Sequence, residues 1–161
     1  MNRNPHLYEG SATQSARAAF NALAGDYDSI FETYRTKKLR NRIYRLIETY
    51  VSPPSQVLDM NCGTGTDCVA LAEMGYRALG VDLSPEMIAR ARRKIRPGSD
   101  VRFEVLPFDH LANLESNAFD LVLSNNSGLN CALDLRSILA DIHARLRAGG
   151  ACVLVVMPPF S

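Results

Sequence analysis

The hydrophobic and polar positions of residues 55–157 alternate in short blocks that predict strands and helices in turn. Apolar segments bounded by turn residues predict five strands, at residues 56–60, 77–81, 101–106, 119–124 and 151–157. Helical spacing of apolar residues predicts the helices between them, at residues 66–74, 84–95 and 133–146. Strands that alternate with helices are typical of a parallel sheet with right-handed crossovers, so the pattern predicts an α/β fold.

The first 51 residues predict helices alone. Residues 15–23 form one helical segment, and a second carries an apolar stripe of Leu39, Ile43, Leu46, Ile47 and Tyr50. Pro53 and Pro54 end that second helix. We therefore divide the chain into an N-terminal helical extension, residues 1–51, and a sheet domain, residues 52–161. The extension is expected to pack on the sheet or partly over its ligand-binding edge.

Composition narrows the class of protein. The 161 residues are 47% hydrophobic and 22% charged, with 18 Lys and Arg against 17 Asp and Glu, which fits one folded domain rather than a disordered chain. The sequence lacks an apolar run of the roughly 20 residues that a membrane span needs, and residues 1–10 lack the apolar core of a signal peptide. We therefore expect a cytoplasmic protein that does not cross a membrane. The four cysteines and three histidines are scattered, so no metal site is predicted.

Basic residues form two clusters, each on a predicted helix. One cluster comprises Arg35, Lys37, Lys38, Arg40, Arg42 and Arg45, and the other Arg90, Arg92, Arg93, Lys94 and Arg96. A phosphate-bearing partner such as nucleic acid is one interpretation. We favour solvated helix faces, because the aromatic residues that stack on bases are absent between the charges.

The stretch from Val57 to Asp67 contains the candidate ligand-binding loop. A strand ends in Asp59, a loop containing Gly63 and Gly65 follows, and a helix begins. Glycines let a backbone approach a ligand closely, and a helix N-terminus favours an anionic group. A second acid, Asp82, closes the second strand, where a carboxylate accepts hydrogen bonds from both hydroxyls of a ribose.

Two ligand classes use this layout. A dinucleotide site has the pattern G-x-G-x-x-G, but Cys68 stands at the third glycine. The other class binds an adenosine that carries a methionine tail. An acid before the loop, as Asp59 is, repels a pyrophosphate and suits an ammonium or sulfonium group. The residues therefore favour the second class, while a nicotinamide-binding oxidoreductase stays as an alternative.

Four segments in order resemble the motifs of class I S-adenosylmethionine-dependent methyltransferases. Asp59–Gly65 resembles the first motif and Gly80–Met87 the second, while Phe119–Val122 resembles strand four and Leu146–Gly150 the turn before strand five. Phe20–Asp28 resembles the N-terminal helix of small-molecule members. The resemblance implies a Rossmann-like, doubly wound parallel sheet of order 3-2-1-4-5, with S-adenosyl-L-methionine as the cofactor.

The resemblance also implies a set of cofactor-binding residues. Asp82 is the expected ribose ligand, Leu83 and Met87 are expected to flank the adenine, and Asp59 to orient the loop or the amino group. The full set is Tyr27, Asp59, Asn61, Gly63, Gly65, Asp82, Leu83, Met87, Asp109 and Ser124. Each has a plain structural alternative, such as a turn glycine, a capping acid or a core residue. No catalytic base is identified.

Two departures from the family pattern concern this set. Asn61 stands where the first glycine is usual, and we expect asparagine to preserve the turn because it tolerates left-handed dihedrals. Pro107 stands where an acid that meets the adenine is usual, and we expect either Asp109 to substitute from a shifted position or the backbone alone to meet the adenine. These departures keep a non-catalytic binding module as a further alternative.

The implied reaction is an in-line transfer of the methyl group to a small-molecule nucleophile, helped mainly by proximity and orientation. Members of the family usually have seven strands, whereas this sequence ends at Ser161, just after predicted strand five. That strand, residues 151–157, is apolar on both faces, so Cys152 is interpreted as a core residue. Because an open apolar edge favours association, we expect a missing C-terminal segment or a homo-oligomer that covers it.

Overall fold

In the part of the chain that the structure describes, five parallel strands form one sheet in the order β3-β2-β1-β4-β5. The computed structural model describes residues 11–115, 118–126 and 128–157. The strands are β1 Gln56–Asp59, β2 Arg77–Asp82, β3 Val101–Val105, β4 Phe119–Ser124 and β5 Leu146–Leu154. The predicted α/β class and strand order are confirmed. The predictions for residues 1–10 and 158–161, and for Ser127 in the turn after β4, lie outside the described residues.

Six α-helices accompany the sheet in the described ranges. They are α1 Ser11–Leu23, α2 Tyr27–Phe31, α3 Tyr34–Tyr50, α4 Thr66–Glu73, α5 Pro85–Arg93 and α6 Leu135–Arg145, and 3-10 helices cover Phe108–Asn113 and Gly128–Cys131. Helix α5 begins as its sequence indicates, because the Ser84 hydroxyl accepts a hydrogen bond from the amide of Met87. Helix α2 was not predicted, since five residues are too few to show a helical period.

Apolar side chains cover both faces of the sheet. On one face Ile43 and Ile47 of α3 pack with Leu121 and Val153, and α4 and α5 pack beside them. On the other face Ile138 and Ile142 of α6 join the core. Helix α3 of the N-terminal extension is therefore part of the sheet packing, while none of the described helices is long and apolar enough to cross a membrane.

Strand β5 differs from its prediction. It begins at Leu146 rather than residue 151, ends at Leu154, and shifts register against β4 between Phe119 and Leu121. The interpretation of Cys152 as a core residue is wrong, because this residue is exposed and Val153 is the one buried residue of the strand. The physical reason is position: within the described residues β5 pairs only with β4 and forms the outer strand.

Close contact between α4 and β2 depends on glycine at position 80. A Cβ atom there would lie 2.7 Å from the Phe103 ring and 2.8 Å from the Cys68 sulfur. In dinucleotide folds the third glycine of the loop lets helix and strand approach. Here the glycine that allows close approach is Gly80 on strand β2. The helix can therefore carry Cys68 at the position of the third glycine.

Candidate functional site

A cavity of about 310 Å³ lies at the carboxyl ends of the strands. Seven of the predicted site residues line it: Tyr27, Asn61, Gly63, Asp82, Leu83, Met87 and Asp109. The remaining walls come from α1, from the segments after β1, β3 and β4, and from the start of α6. These are Thr13, Ala16, Phe20, Met60, Pro107, Phe108, Asn126, Gly128, Cys131, Ala132, Leu133, Asp134, Ser137 and Ile138. The volume falls in the range of small-molecule sites.

Asp82 is held in place by the backbone around it. Its Oδ2 atom accepts a hydrogen bond of 2.9 Å from the amide of Gly63, and Oδ1 accepts one of 2.9 Å from the amide of Ser84. The residue is 9% exposed, and burial raises the pKa of its carboxyl group although both hydrogen bonds lower it. Each oxygen keeps a second lone pair, so the carboxylate can still accept hydrogen bonds from a ligand.

Tyr27 of α2 covers the glycine loop. Gly63 has φ +53°, and a Cβ atom built on it would lie 3.6 Å from the Tyr27 ring. The ring packs against Phe31 with centroids 4.6 Å apart. Burial, and then the charge of Asp82, raise the pKa of Tyr27 to about 12, so its hydroxyl keeps its proton at neutral pH. Tyr27 therefore presents a hydrogen-bond donor and an aromatic face at the cavity.

Asn61 joins two loops at the strand ends. Its Nδ2 atom donates a hydrogen bond of 2.8 Å to the carbonyl oxygen of Asn125, which follows β4. The loop forms without the left-handed dihedrals that asparagine tolerates, because among the described non-glycine residues only Asn126 has a positive φ. Gly63 and Gly65 supply the positive φ angles of the loop instead, at +53° and +78°.

Asp109 and Pro107 both line the cavity after β3. The Asp109 carboxylate lies 2.8 Å from Nδ1 of His110, so it is partly engaged outside the cavity. Proline has no amide hydrogen to offer a ligand. The position of Asp109 in the cavity lining is compatible with a contact to the adenine, and this contact stays a prediction.

Three predicted site residues lie outside the cavity lining. Gly65 is the N-cap residue of α4, and a Cβ atom built on it would lie 2.6 Å from the Phe103 ring. Ser124 is buried, and its carbonyl oxygen accepts a hydrogen bond from the amide of Val155. Asp59 is 1% exposed, with Oδ1 3.4 Å from the amide of Asn61. In this structure Gly65, Ser124 and Asp59 lie around the glycine loop, outside the cavity lining.

The pKa of Asp59 lies well above the usual range. Burial is the main cause, and the nearby charge of Asp67 adds to it. Because the folded state then holds a proton that the unfolded state releases, stability falls as the pH rises above about 4 toward the folded pKa.

We expect Asp59→Asn to remove this pH dependence. The free energy of unfolding of the variant, relative to wild type, should rise by at least about 1 kcal/mol between about pH 5 and about pH 8. Urea unfolding followed by circular dichroism measures it. The exposed Asp100, paired with Arg77, gives a matched control in Asp100→Asn. An equal pH dependence in wild type and Asp59→Asn would contradict the prediction.

A buried polar network beneath the cavity was missed by the sequence analysis. Arg40 of α3 pairs with Glu32, and its Nε atom lies 3.1 Å from Oδ1 of Asp67. The same carboxylate accepts hydrogen bonds of 2.6 Å from the Tyr44 hydroxyl and 3.0 Å from Nδ2 of Asn125. This network joins α3, α4 and the loop after β4. Arg40 had been counted within a solvated basic cluster, and no local pattern distinguishes it.

Three further polar contacts hold α1 and α2 over the cavity. Asp28 of α2 accepts a hydrogen bond of 2.5 Å from Thr64 and pairs with Lys94 at 2.7 Å. Ser84 donates a hydrogen bond of 2.6 Å to Asn21 of α1. Burial would raise the pKa of Asp28, but the hydrogen bonds from Lys94 and Thr64 outweigh it and lower the pKa.

The chemistry of this lining fits an adenosine with a methionine tail. Asp82 offers acceptors for ribose hydroxyls, Leu83, Met87 and Phe108 offer apolar surfaces for a ring, and the acids favour a cation. No group of three or more His, Cys, Asp or Glu among the described residues is placed to hold a metal ion.

Fold and site together define a Rossmann-like nucleotide-binding domain of the methyltransferase class. The model of the methyltransferase domain family matches residues 57–150, and the chain belongs to this family. The predicted class I S-adenosylmethionine-dependent family is thereby confirmed, and S-adenosyl-L-methionine is its cofactor.

Individual methyltransferases are also similar to this chain. A demethylmenaquinone methyltransferase of Thermus thermophilus is 36% identical over 110 residues, covering 66% of this chain and 49% of that protein. Trans-aconitate 2-methyltransferase of Deinococcus radiodurans is 38% identical over 109 residues, covering 66% and 39%. The crystal structure of an S-adenosylmethionine-dependent methyltransferase from Clostridium acetobutylicum superposes with a TM-score of 0.69 at 26% identity, covering 86% and 57%. The chain spans half or less of the length of these two curated relatives.

Proposed function

We propose that this chain is the cofactor-binding part of a methyltransferase that moves a methyl group from S-adenosylmethionine to a small-molecule nucleophile. The observation that carries the proposal is the Asp82 carboxylate. It is fixed by two backbone amides at the end of β2 and borders a cavity with apolar walls. In α/β sheets, ligands bind at this end of the strands.

In this proposal Asp82 accepts hydrogen bonds from the ribose hydroxyls, and Leu83 and Met87 contact the adenine. Tyr27 closes the glycine loop from α2 and excludes water from it. The cofactor supplies an activated methyl group on a sulfonium, so the protein mainly orients two reactants for in-line displacement. We assign no catalytic base.

A small-molecule acceptor is supported by the position of the N-terminal extension, which we keep as residues 1–51. Side chains of α1 and α2 line the cavity, so the extension narrows access to the strand ends. The two curated relatives are named for demethylmenaquinone and trans-aconitate, both small molecules. A narrowed cavity suits acceptors of that size better than a folded macromolecule.

Calorimetric titration of the wild-type chain tests the proposal. We expect S-adenosylhomocysteine to bind with a micromolar dissociation constant and NADH to show no heat of binding. The physical reason is the Asp82 carboxylate, which borders the glycine loop in the cavity, repels a pyrophosphate and attracts a sulfonium or ammonium group. Binding of NADH in preference to S-adenosylhomocysteine would overturn the proposal.

A further inference from the structure

We propose that Asp28, Thr64 and Lys94 form a latch that holds helix α2 closed over the cavity, and that opening of this latch sets the rates of cofactor entry and release. The inference rests on the proposed function, because that function assigns S-adenosylmethionine to this cavity. It adds the regulation of cofactor exchange by three residues that do not themselves line the cavity.

The latch joins α2 to the glycine loop and to the end of α5. Oδ1 of Asp28 accepts a hydrogen bond of 2.5 Å from the Thr64 hydroxyl, and Oδ2 lies 2.7 Å from Nζ of Lys94. The same Nζ atom donates hydrogen bonds of 3.0 Å to Thr64 and 3.2 Å to Thr66. Lys94 is the C-cap residue of α5, and its three N–H groups all have acceptors. One carboxylate therefore ties α2 to two elements of the sheet domain.

Apolar packing fixes α2 only weakly. The helix is five residues long, none of them is buried, and Ile30 and Phe31 are 48% and 39% exposed. A segment with few buried apolar contacts opens locally at a low cost in free energy. At the far end of the helix Glu32 pairs with Arg40 of α3, so that end stays with α3. The first turn, which carries Asp28, is the part that depends on the latch.

Asp28 follows directly on the residue that covers the glycine loop. Tyr27 lies over Gly63, where a built Cβ atom would be 3.6 Å from its ring, and both residues line the cavity. The amide of Gly63 also donates to Asp82, which we assign to the ribose. The latch therefore fixes the Tyr27 ring beside the ribose position. A ligand enclosed at this position exchanges when α2 swings away, as it does beneath the lids of other enzymes.

The latch is weak enough to open during turnover. The side chains of Lys94 and Asp28 are 29% and 43% exposed, so water and salt screen their attraction. A partly exposed pair of charges stabilises a closed form only modestly. This strength suits a contact that breaks and forms again each time the cofactor is exchanged.

A latch built in this way changes rates rather than affinity. None of its three side chains lines the cavity, so its contacts form equally with the cavity empty or filled. Weakening the latch then favours the open form by the same factor in both cases. The association and dissociation rate constants should rise together, and their ratio, the dissociation constant, should stay the same.

Surface plasmon resonance of S-adenosylhomocysteine on the immobilised chain tests the inference. In Asp28→Asn the charge is lost and one acceptor becomes a donor that faces Lys94 or Thr64. We therefore expect both rate constants to rise by about threefold to tenfold, while the dissociation constant changes by less than about twofold. Asp26→Asn is the matched control, because Asp26 is exposed in the same turn and its side chain makes no capping hydrogen bond. Both of its rate constants should stay those of wild type.

Lys94→Met removes the cation of the latch and should raise both rate constants in the same way. Combining it with Asp28→Asn should raise them no further, because either change alone already breaks the ion pair. A thermal unfolding curve for each variant shows that it is folded. In wild type, raising the NaCl concentration from about 0.05 M to about 0.5 M should also speed both association and dissociation, which tests the latch without any variant.

Wild-type rate constants in folded Asp28→Asn and Lys94→Met overturn the inference, and so do wild-type rates that are independent of salt. A rise in the dissociation rate constant alone also overturns it, because Asp28 would then preserve the shape of the binding site instead of gating it. Failure of the wild-type chain to bind S-adenosylhomocysteine overturns the proposed function, so the two failures are distinguishable.

Discussion

Asp82→Asn is expected to weaken S-adenosylhomocysteine binding by about tenfold to a hundredfold. The wild-type carboxylate already accepts hydrogen bonds from the amides of Gly63 and Ser84, and its remaining lone pairs are those that we assign to the ribose hydroxyls. Asparagine turns one acceptor into a donor, which faces either a backbone amide or a hydroxyl. Losing a hydrogen bond to a charged group costs about 1.5–3 kcal/mol, which corresponds to that loss of affinity.

Calorimetric titration measures the effect, and Asp100→Asn is the matched control. Asp100 is an exposed acid that pairs with Arg77 at the opposite end of β2, so its variant should bind as wild type does. A thermal unfolding curve for each protein shows whether the loop still folds. Wild-type affinity in a folded Asp82→Asn variant would remove Asp82 from the site.

The sheet could be predicted from the sequence because its signals are local. Strands β1 to β4 each correspond to a short apolar segment between turn residues. The start of α5 is marked by a capping serine, Ser84, followed by a proline at the first helical position, Pro85. Strand order came from the family resemblance and not from any pattern in the chain. Strand β5 was misplaced because its pairing with β4 begins at Leu146, in a segment that reads as the end of a helix.

The candidate site also combines residues that local sequence motifs identify with residues that they do not. Gly63 and Asp82 were identified because each lies in a contiguous motif, and the structure brings them to one cavity. The contact of Arg40 with Asp67 joins two segments that are distant in sequence, and it exists because Ile43 and Ile47 seat α3 on the sheet. No local pattern separates Arg40 from the exposed basic residues beside it.

The two basic clusters also differ once they are folded. Arg92 donates to the carbonyl oxygen of Phe103, Lys94 pairs with Asp28, and Arg96 pairs with Glu73. Much of the second cluster therefore holds α5 in place. These contacts engage three of the five basic side chains of the cluster, and sequence alone does not show them.

Arg40→Met is expected to destabilise the folded chain by about 3–5 kcal/mol. Methionine fills much of the same volume but leaves the Asp67 carboxylate, which is 4% exposed, without its cationic partner. Tyr44 and Asn125 still donate hydrogen bonds to that carboxylate, yet neither carries a charge. Asp59 lies close enough that the charge of Asp67 raises its pKa, so the loss of Arg40 leaves two buried acids facing each other.

Urea unfolding of five proteins separates this electrostatic cause from simple loss of packing: wild type, Arg40→Met, Arg42→Met, Asp67→Asn and the double variant of Arg40→Met with Asp67→Asn. Arg42→Met, an exposed arginine on the same helix, should change stability by less than about 0.5 kcal/mol. The double variant Arg40→Met with Asp67→Asn removes both charges, so it should recover part of the stability that Arg40→Met loses. Losses that simply add in the double variant would show that Arg40 stabilises the fold by packing alone. The N-terminal extension would then be held over the cavity by the apolar contacts of α3 and the polar contacts of Asn21 and Asp28.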